Sequence, residues 1–238
     1  MNTEEIIEEK HSAETAELFK TAQALAKDKN YDEAKIIYAQ ILELEEKNNY
    51  ALVSLGDIER RYRNFDKARE YYNTCLEDNP QNNFALFGLA DSYKSQNKLK
   101  KAIDIWEKYL LLDENNISVL TRIADAYRKT NNLEKSKAIY LKALDLEKDN
   151  AYALIGLGHL FYDFHEYANA LYYWSRMYEL NLQPGNIKIL TSIGNCHKKL
   201  KSYDNGIHFF EEALKLDNKN FYALFGLADC YRGNHEYK

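Results

Sequence analysis

Four aspartates share one local pattern: Asp57, Asp91, Asp125 and Asp229 are each followed three residues later by a cation, Arg60, Lys94, Arg128 and Arg232. On a helix that spacing puts the two charges side by side. Two chemistries fit it. The pair could be an ion bridge on a solvated face, worth about 0.3 kcal/mol. It could instead be one rung of a carboxylate row that holds the backbone amides or basic side chains of an extended partner. The remaining reactive side chains do not converge. His159 and His165 straddle a turn and are not expected to share a metal. Cys196 and His197 are neighbours on one helix without other near ligands, which reads as a buried thiol beside a core imidazole. No Gly-rich phosphate loop, GxSxG or HExxH segment occurs. The chain is therefore expected not to be an enzyme and to need neither metal nor cofactor.

The elements that would carry these aspartates recur. The stretch Asn83 to Asn116 holds 34 residues, and the pattern returns when the frame is shifted by that length. Within it Leu86, Leu89, Ala90 and Tyr93 step by three or four, and so do Ala102, Trp106, Tyr109 and Leu110. Each set lines one helix face. Ser95-Gln96-Asn97-Lys98 between them is polar and suits a tight turn. Neither helix can bury its stripe alone, so a fixed period of this length predicts helical hairpins stacked into a solenoid. Repeats are expected over 15–48, 49–82, 83–116, 117–150, 151–186 and 187–220, with the first helix of a seventh over 221–238. Residues 1–14, with Ile6 and Ile7 among glutamates, form a cap helix or a tail. Leu182-Gln183-Pro184-Gly185-Asn186 lengthens the fifth repeat by two residues. Pro80 and Pro184 fall at repeat ends, where a helix should stop.

Composition narrows the class further. Lys and Arg number 32 against 37 Asp and Glu, a formal net charge of −5, so bulk electrostatics do not favour nucleic acid. The three cysteines, Cys75, Cys196 and Cys230, lack CxxC spacing and read as small apolar helix residues in a reducing compartment. No apolar run approaches a membrane span, and the acidic N-terminus has no signal-peptide core. A cytoplasmic protein is expected. The seventh first helix has no polar cap over Leu224, Leu227, Ala228 and Tyr231. Two alternatives follow: a fragment of a longer protein whose continuation could be an enzyme, or self-association through this helix.

Leu55-Gly56, Leu89-Ala90 with Tyr93, Leu157-Gly158, Ile193-Gly194, and Ala34, Ala68, Ala102 and Ala170 together resemble the tetratricopeptide repeat (TPR) family. The resemblance covers nearly the whole chain from Thr15. It implies an all-α, right-handed superhelical solenoid, a protein-interaction scaffold whose first helices line a groove for a peptide or partner protein. Departures occur at Thr21, Ser136, His197 and Gly206. Glu59 stands where a tyrosine is expected, with Tyr62 one turn later as a candidate to fill the gap.

If first helices line a groove, positions 2, 5, 6, 9, 12 and 13 of each repeat face it. Candidate partner-binding residues are then Tyr50, Asp57, Arg61, Phe84, Phe87, Asp91, Lys94, Arg122, Asp125, Arg128, Tyr152, His159, Asn195, Tyr222 and Asp229. The family's clamp for chaperone C-terminal carboxylates does not fit: repeat one has Phe19 and Gln23, repeat two has Ser54, and Arg122 alone matches the last slot. A two-repeat rhythm is superimposed. Repeats three, five and seven read FALFGLAD, YALIGLGH and YALFGLAD, while four and six read SVLTRIAD and KILTSIGN. Gly88, Gly156 and Gly226 thus lie mid-helix, where glycine costs about 1 kcal/mol against alanine. Either neighbouring helices approach closely there, or the glycines leave dents beside Phe84, Tyr152 and Tyr222 for a partner's apolar side chains.

Overall fold

The computed structural model describes residues 3–181 and 185–234, with side chains from residue 13 on. The side chains of Ile6 and Ile7, the Leu182–Pro184 insertion and residues 235–238 lie outside the described residues. Among the described residues there are thirteen α-helices and no strand. They fall into two compact units, Met1–Glu114 and Asn115–Lys238. The first unit holds α1 (Thr3–Lys27), α2 (Tyr31–Leu44), α3 (Asn49–Arg61), α4 (Phe65–Asp78), α5 (Asn83–Ser95) and α6 (Leu99–Leu110). The second holds α7 (Ile117–Lys129), α8 (Leu133–Leu146), α9 (Ala151–Asp163), α10 (Tyr167–Glu179), α11 (Ile187–Lys199), α12 (Tyr203–Leu216) and α13 (Phe221–Gly233). Residues 3–14 are continuous with the first helix of repeat one.

Short-range chemistry sets the helix boundaries. An asparagine precedes each first helix after α1, and its side chain accepts a backbone N–H of the first turn: Asn48 from Ala51 at 3.0 Å, Asn82 from Ala85 at 3.0 Å and Asn220 from Ala223 at 3.1 Å are examples. This cap satisfies a donor that the helix cannot satisfy itself. At the other end, Asn64 N–H reaches Glu59 C=O at 2.9 Å and Lys98 N–H reaches Tyr93 C=O at 2.9 Å. These bonds close the helix around a left-handed residue at position 15 of the hairpin, such as Arg63, Asn97 or Lys201.

Hairpin partners pack face to face, and each second helix also packs on the next first helix within its unit. Consecutive first helices touch in three cases, α3 with α5, α7 with α9 and α11 with α13, while no two second helices approach comparably. First helices therefore form the inner layer of each unit. The core follows the sequence stripes, with Leu52, Ala68, Tyr72, Cys75, Ala85 and Leu89 as one cluster and Leu190, Phe210, Ala213, Ala223 and Cys230 as another.

The departures resolve locally. Ser136 is buried and donates to Ala124 C=O at 2.8 Å, so a hydroxyl sits in an alanine slot without an orphaned atom. Gly206 makes room for Cys230, whose Sγ would lie 2.9 Å from a Cβ there. His197 stacks on Phe209, with centroids 5.6 Å apart, and burial lowers its pKa. Tyr62 does not fill the gap at Glu59: it is half exposed and donates to Asp32 at 2.9 Å. Glu59 is itself buried, held by Lys35 at 2.5 Å, Asn64 at 2.8 Å and Lys67 at 3.6 Å.

All three cysteines are unpaired and buried. Burial pushes the Cys75 thiol up to about 11 and the Cys196 thiol up to about 12. Thiolate is the reactive form. A chromogenic disulfide reagent at neutral pH should therefore leave these thiols untouched until urea unfolds the chain. Rapid labelling of the native protein would contradict the packing.

Candidate functional site

The aspartates at position 9 are engaged with cations of the fold. Asp57 accepts from Arg60 at 3.0 Å and from the Tyr72 hydroxyl at 2.7 Å. Asp125 accepts from Arg128 at 3.1 Å and pairs with Lys129 at 2.8 Å. Asp229 accepts from Arg232 at 2.6 Å and from Lys198 at 3.0 Å. Burial by itself would raise the Asp125 carboxyl, but its bonds to Lys129 and Arg128 outweigh that and lower it. The spacing of three residues was thus the smaller half of the pattern.

The larger half crosses repeats. Arg60 of repeat two also reaches the nearly buried Asp91 of repeat three, at 3.5 Å. Arg128 of repeat four reaches Asp163 of repeat five at 2.5 Å, and Lys198 of repeat six reaches Asp229 of repeat seven. Each time a position-12 cation of an even repeat clasps the next, odd repeat. Arg60 lies in a partly buried cluster, and although burial works against its charge, Tyr72 and Asp57 hold it firmly protonated. Replacing Arg60 with alanine should cost about 1–2 kcal/mol, because it strips bonds from the nearly buried Asp91, from the half-exposed Asp57 and from the Tyr72 hydroxyl. Arg232 is largely exposed, so Arg232→Ala should cost under about 0.5 kcal/mol. Equal losses in urea denaturation would refute the clasp.

The mid-helix glycines obey the same rhythm. A Cβ on Gly88 would lie under 3.0 Å from the Tyr72 ring, one on Gly156 equally close to Tyr140, and one on Gly226 to Phe210. Of the two readings, close approach is the one found, and there are no dents beside Phe84, Tyr152 and Tyr222. An aromatic ring from the preceding second helix fills each, and it lets the two first helices touch. Tyr72 is gripped from both sides, since a Cβ on Gly56 would stand 2.6 Å from it. Burial raises the Tyr72 and Tyr140 phenols, so both stay protonated, Tyr72 as a donor to Asp57. Repeats two and three, four and five, and six and seven are therefore doublets, each closed by a ring over glycine and a cation clasp. The sequence showed the rhythm but not its partner, the ring at position 24.

The remaining candidates fall into two groups. Tyr50, Phe84, Tyr152 and Tyr222 at position 2 stand in solvent. Tyr50 contacts Phe19 edge-on at 5.6 Å, and Phe87 contacts Tyr109 edge-on at 6.4 Å. Arg61 lies over the Tyr31 ring and Lys94 over Trp106. Arg122 is half-buried on α7. His159 and Asn195 replace the aspartate at position 9 of repeats five and six. His159 stands edge-on to Trp174 at 5.2 Å, and desolvation, then the positive Arg128, lowers its pKa. His165 bonds Tyr167 at 2.9 Å, away from His159 on the turn. Among the described residues no three His, Cys, Asp or Glu side chains form a metal-holding group, and no helix is long and apolar enough to cross a membrane.

Comparison with known proteins agrees with this geometry. The tetratricopeptide repeat pattern matches residues 117–150 and 187–220 in one form and residues 19–83 and 53–116 in another. No curated protein matches the chain in sequence. Similar solved structures include PilW, a widely conserved type IV pilus biogenesis factor, with a TM-score of 0.78, 14% identity, and coverage of 90% of this chain and 98% of that one. Pseudomonas aeruginosa pilF gives 0.77 at 15% identity, covering 92% and 99%. YrrB, described as a TPR protein with an unusual peptide-binding site, gives 0.65 at 15% identity, covering 79% and 96%. At these identities the likeness is one of fold.

Proposed function

Because this chain belongs to the tetratricopeptide repeat family, whose arrays are in general protein-interaction modules, we propose that it is a scaffold that holds an extended segment of a partner protein along its first helices. On this reading it has no catalytic role of its own. The unpaired cysteines support a reducing, cytoplasmic setting.

One observation carries the reading. Tyr50, Phe84, Tyr152 and Tyr222 are 70%, 74%, 70% and 73% exposed, all at position 2 of a first helix. Covering such a ring returns about 1.5–3 kcal/mol. Each unit presents two such rings at the same position of the repeat, which is what a partner lying along its first helices would use, with aromatic anchors supplying most of the affinity. The aspartates then serve to hold the groove wall rather than to grip the ligand.

Selection from a displayed library of random peptides tests this. Selected peptides should bind the wild-type chain and bind about tenfold more weakly to Phe84→Ser with Tyr152→Ser. Both side chains are exposed, so the helices should stay intact. Peptides that ignore the double change, or a library that yields none, would sink the proposal.

A further inference from the structure

We propose that the seam between repeats five and six, on the first-helix face of the second unit, is where the groove reads its partner, and that it fits an extended protein segment bearing acidic side chains. This rests on the groove reading above and adds the place and the chemistry.

The seam is the point in this unit where the doublet device is absent. Position 12 of repeat five is Tyr162 instead of a cation, position 9 of repeat six is Asn195, and position 6 is Ser192 in place of glycine. Accordingly α9 and α11 make at most a marginal contact, whereas α7 touches α9 and α11 touches α13. Polar groups that the fold uses elsewhere are left over here. Asn195 makes no side-chain hydrogen bond, and the His159 ring stands edge-on to Trp174 with no hydrogen bond of its own.

Trp174 is the ring of this seam. It holds the position at which Tyr72 and Tyr140 sit beneath a doublet. It is 2% exposed, and its indole N–H is buried without an acceptor, against Gly158 and beside His159.

Charge identifies the acceptor. Helix α11 carries Lys188, Lys198 and Lys199 and no acidic residue, in a chain of formal net charge −5. Lys198 is spent on Asp229, Lys199 lies over the Tyr167 ring, and Lys188 has no ion pair. Lys188 sits in the first turn of α11, the end at which the helix dipole disfavours a cation, so the fold gains nothing from its charge. The carboxylate of α9, Asp163, is already held by Arg128. Lys188, Asn195 and Lys199 share one face. The four residues from Asn195 to Lys199 rise about 6 Å. Alternate side chains of an extended peptide repeat at about 6.8 Å, so carboxylates two residues apart match that step.

Fluorescence anisotropy with three labelled peptides of equal length tests the inference: alternating glutamate and serine, its glutamine counterpart, and its lysine counterpart. The full chain is compared with His159→Asp plus Asn195→Asp, which restores the aspartate of the other repeats, and with the exposed change Lys188→Glu. The glutamate peptide should bind the wild type about tenfold better than the others and lose that margin in both variants. Equal binding of the glutamate peptide to wild type and variants would overturn the location. Preference for the glutamine or lysine peptide would overturn the chemistry while leaving the groove reading intact. Absence of binding by all three, alongside library peptides that do bind, would overturn the inference alone. Absence of both would overturn the groove reading with it.

Discussion

Gly88→Ala is expected to lower the unfolding free energy by about 2 kcal/mol, although on helix propensity it should raise stability by about 1 kcal/mol. The sign turns on Tyr72. A new Cβ at position 88 would press on the tip of its ring. A flexible side chain could swing aside at little cost, but this one cannot. Its hydroxyl donates to Asp57 at 2.7 Å and lies 3.4 Å from the Arg60 guanidinium, while Gly56 closes the opposite side. Either α5 must back away from α3 or the ring must give up its hydrogen bonds. Urea denaturation of Gly88→Ala measures the sum. The control is Tyr72→Leu: against that background Gly88→Ala should cost nothing or stabilise, because the ring is gone. A more stable single variant would mean that the doublet contact is not what keeps glycine there. The same argument applies to Gly156 over Tyr140 and Gly226 over Phe210.

The second large effect is expected at Glu59. Its side chain is 0% exposed, yet Lys35 and Lys67 keep 33% and 51% of theirs in water. Glu59→Ala would leave two cations that can turn outward, but it empties a volume between α2, α3 and α4 and removes a bond from Asn64. A loss of about 2–4 kcal/mol follows, below the full cost of a stranded buried charge. A pH dependence comes with it. Burial tends to raise the Glu59 carboxyl, but the bonds from Lys35 and then Asn64 outweigh it, so its pKa is lowered. A group depressed in the folded state contributes stability above its unfolded pKa, and that stability is lost as pH falls through the folded value. The wild type should therefore lose stability as acid takes it below the usual carboxylate range, near pH 4. Glu59→Gln should be less stable at neutral pH and flatter on the acid side. Parallel acid limbs for the two proteins would show that Glu59 is not the titrating group.

What the sequence determined is everything that repeats at short range. A period of 34 residues with apolar steps of three and four is a local property, so the helices begin where the repeat frame begins, at Asn49, Asn83, Ile117, Ala151, Ile187 and Phe221. The hairpin turns, the exposed rings at position 2 and the aspartate–cation spacing were legible for the same reason. The asparagine before each first helix was equally visible, and its capping role was the local signal that went unread. Tertiary structure decided the rest. Whether Asp57 and Asp125 face a ligand or the fold depends on side chains far along the chain, and Arg60 chooses Asp91 across thirty-one residues. The glycines left open a choice between close packing and dents because one helix was in view. The ring that fills each comes from another helix, whose identity at position 24 has meaning only once the two are stacked. Burial of Glu59 follows from Lys35 and Lys67 arriving from two neighbouring helices, an arrangement that periodicity cannot encode because it depends on three helices meeting at one point.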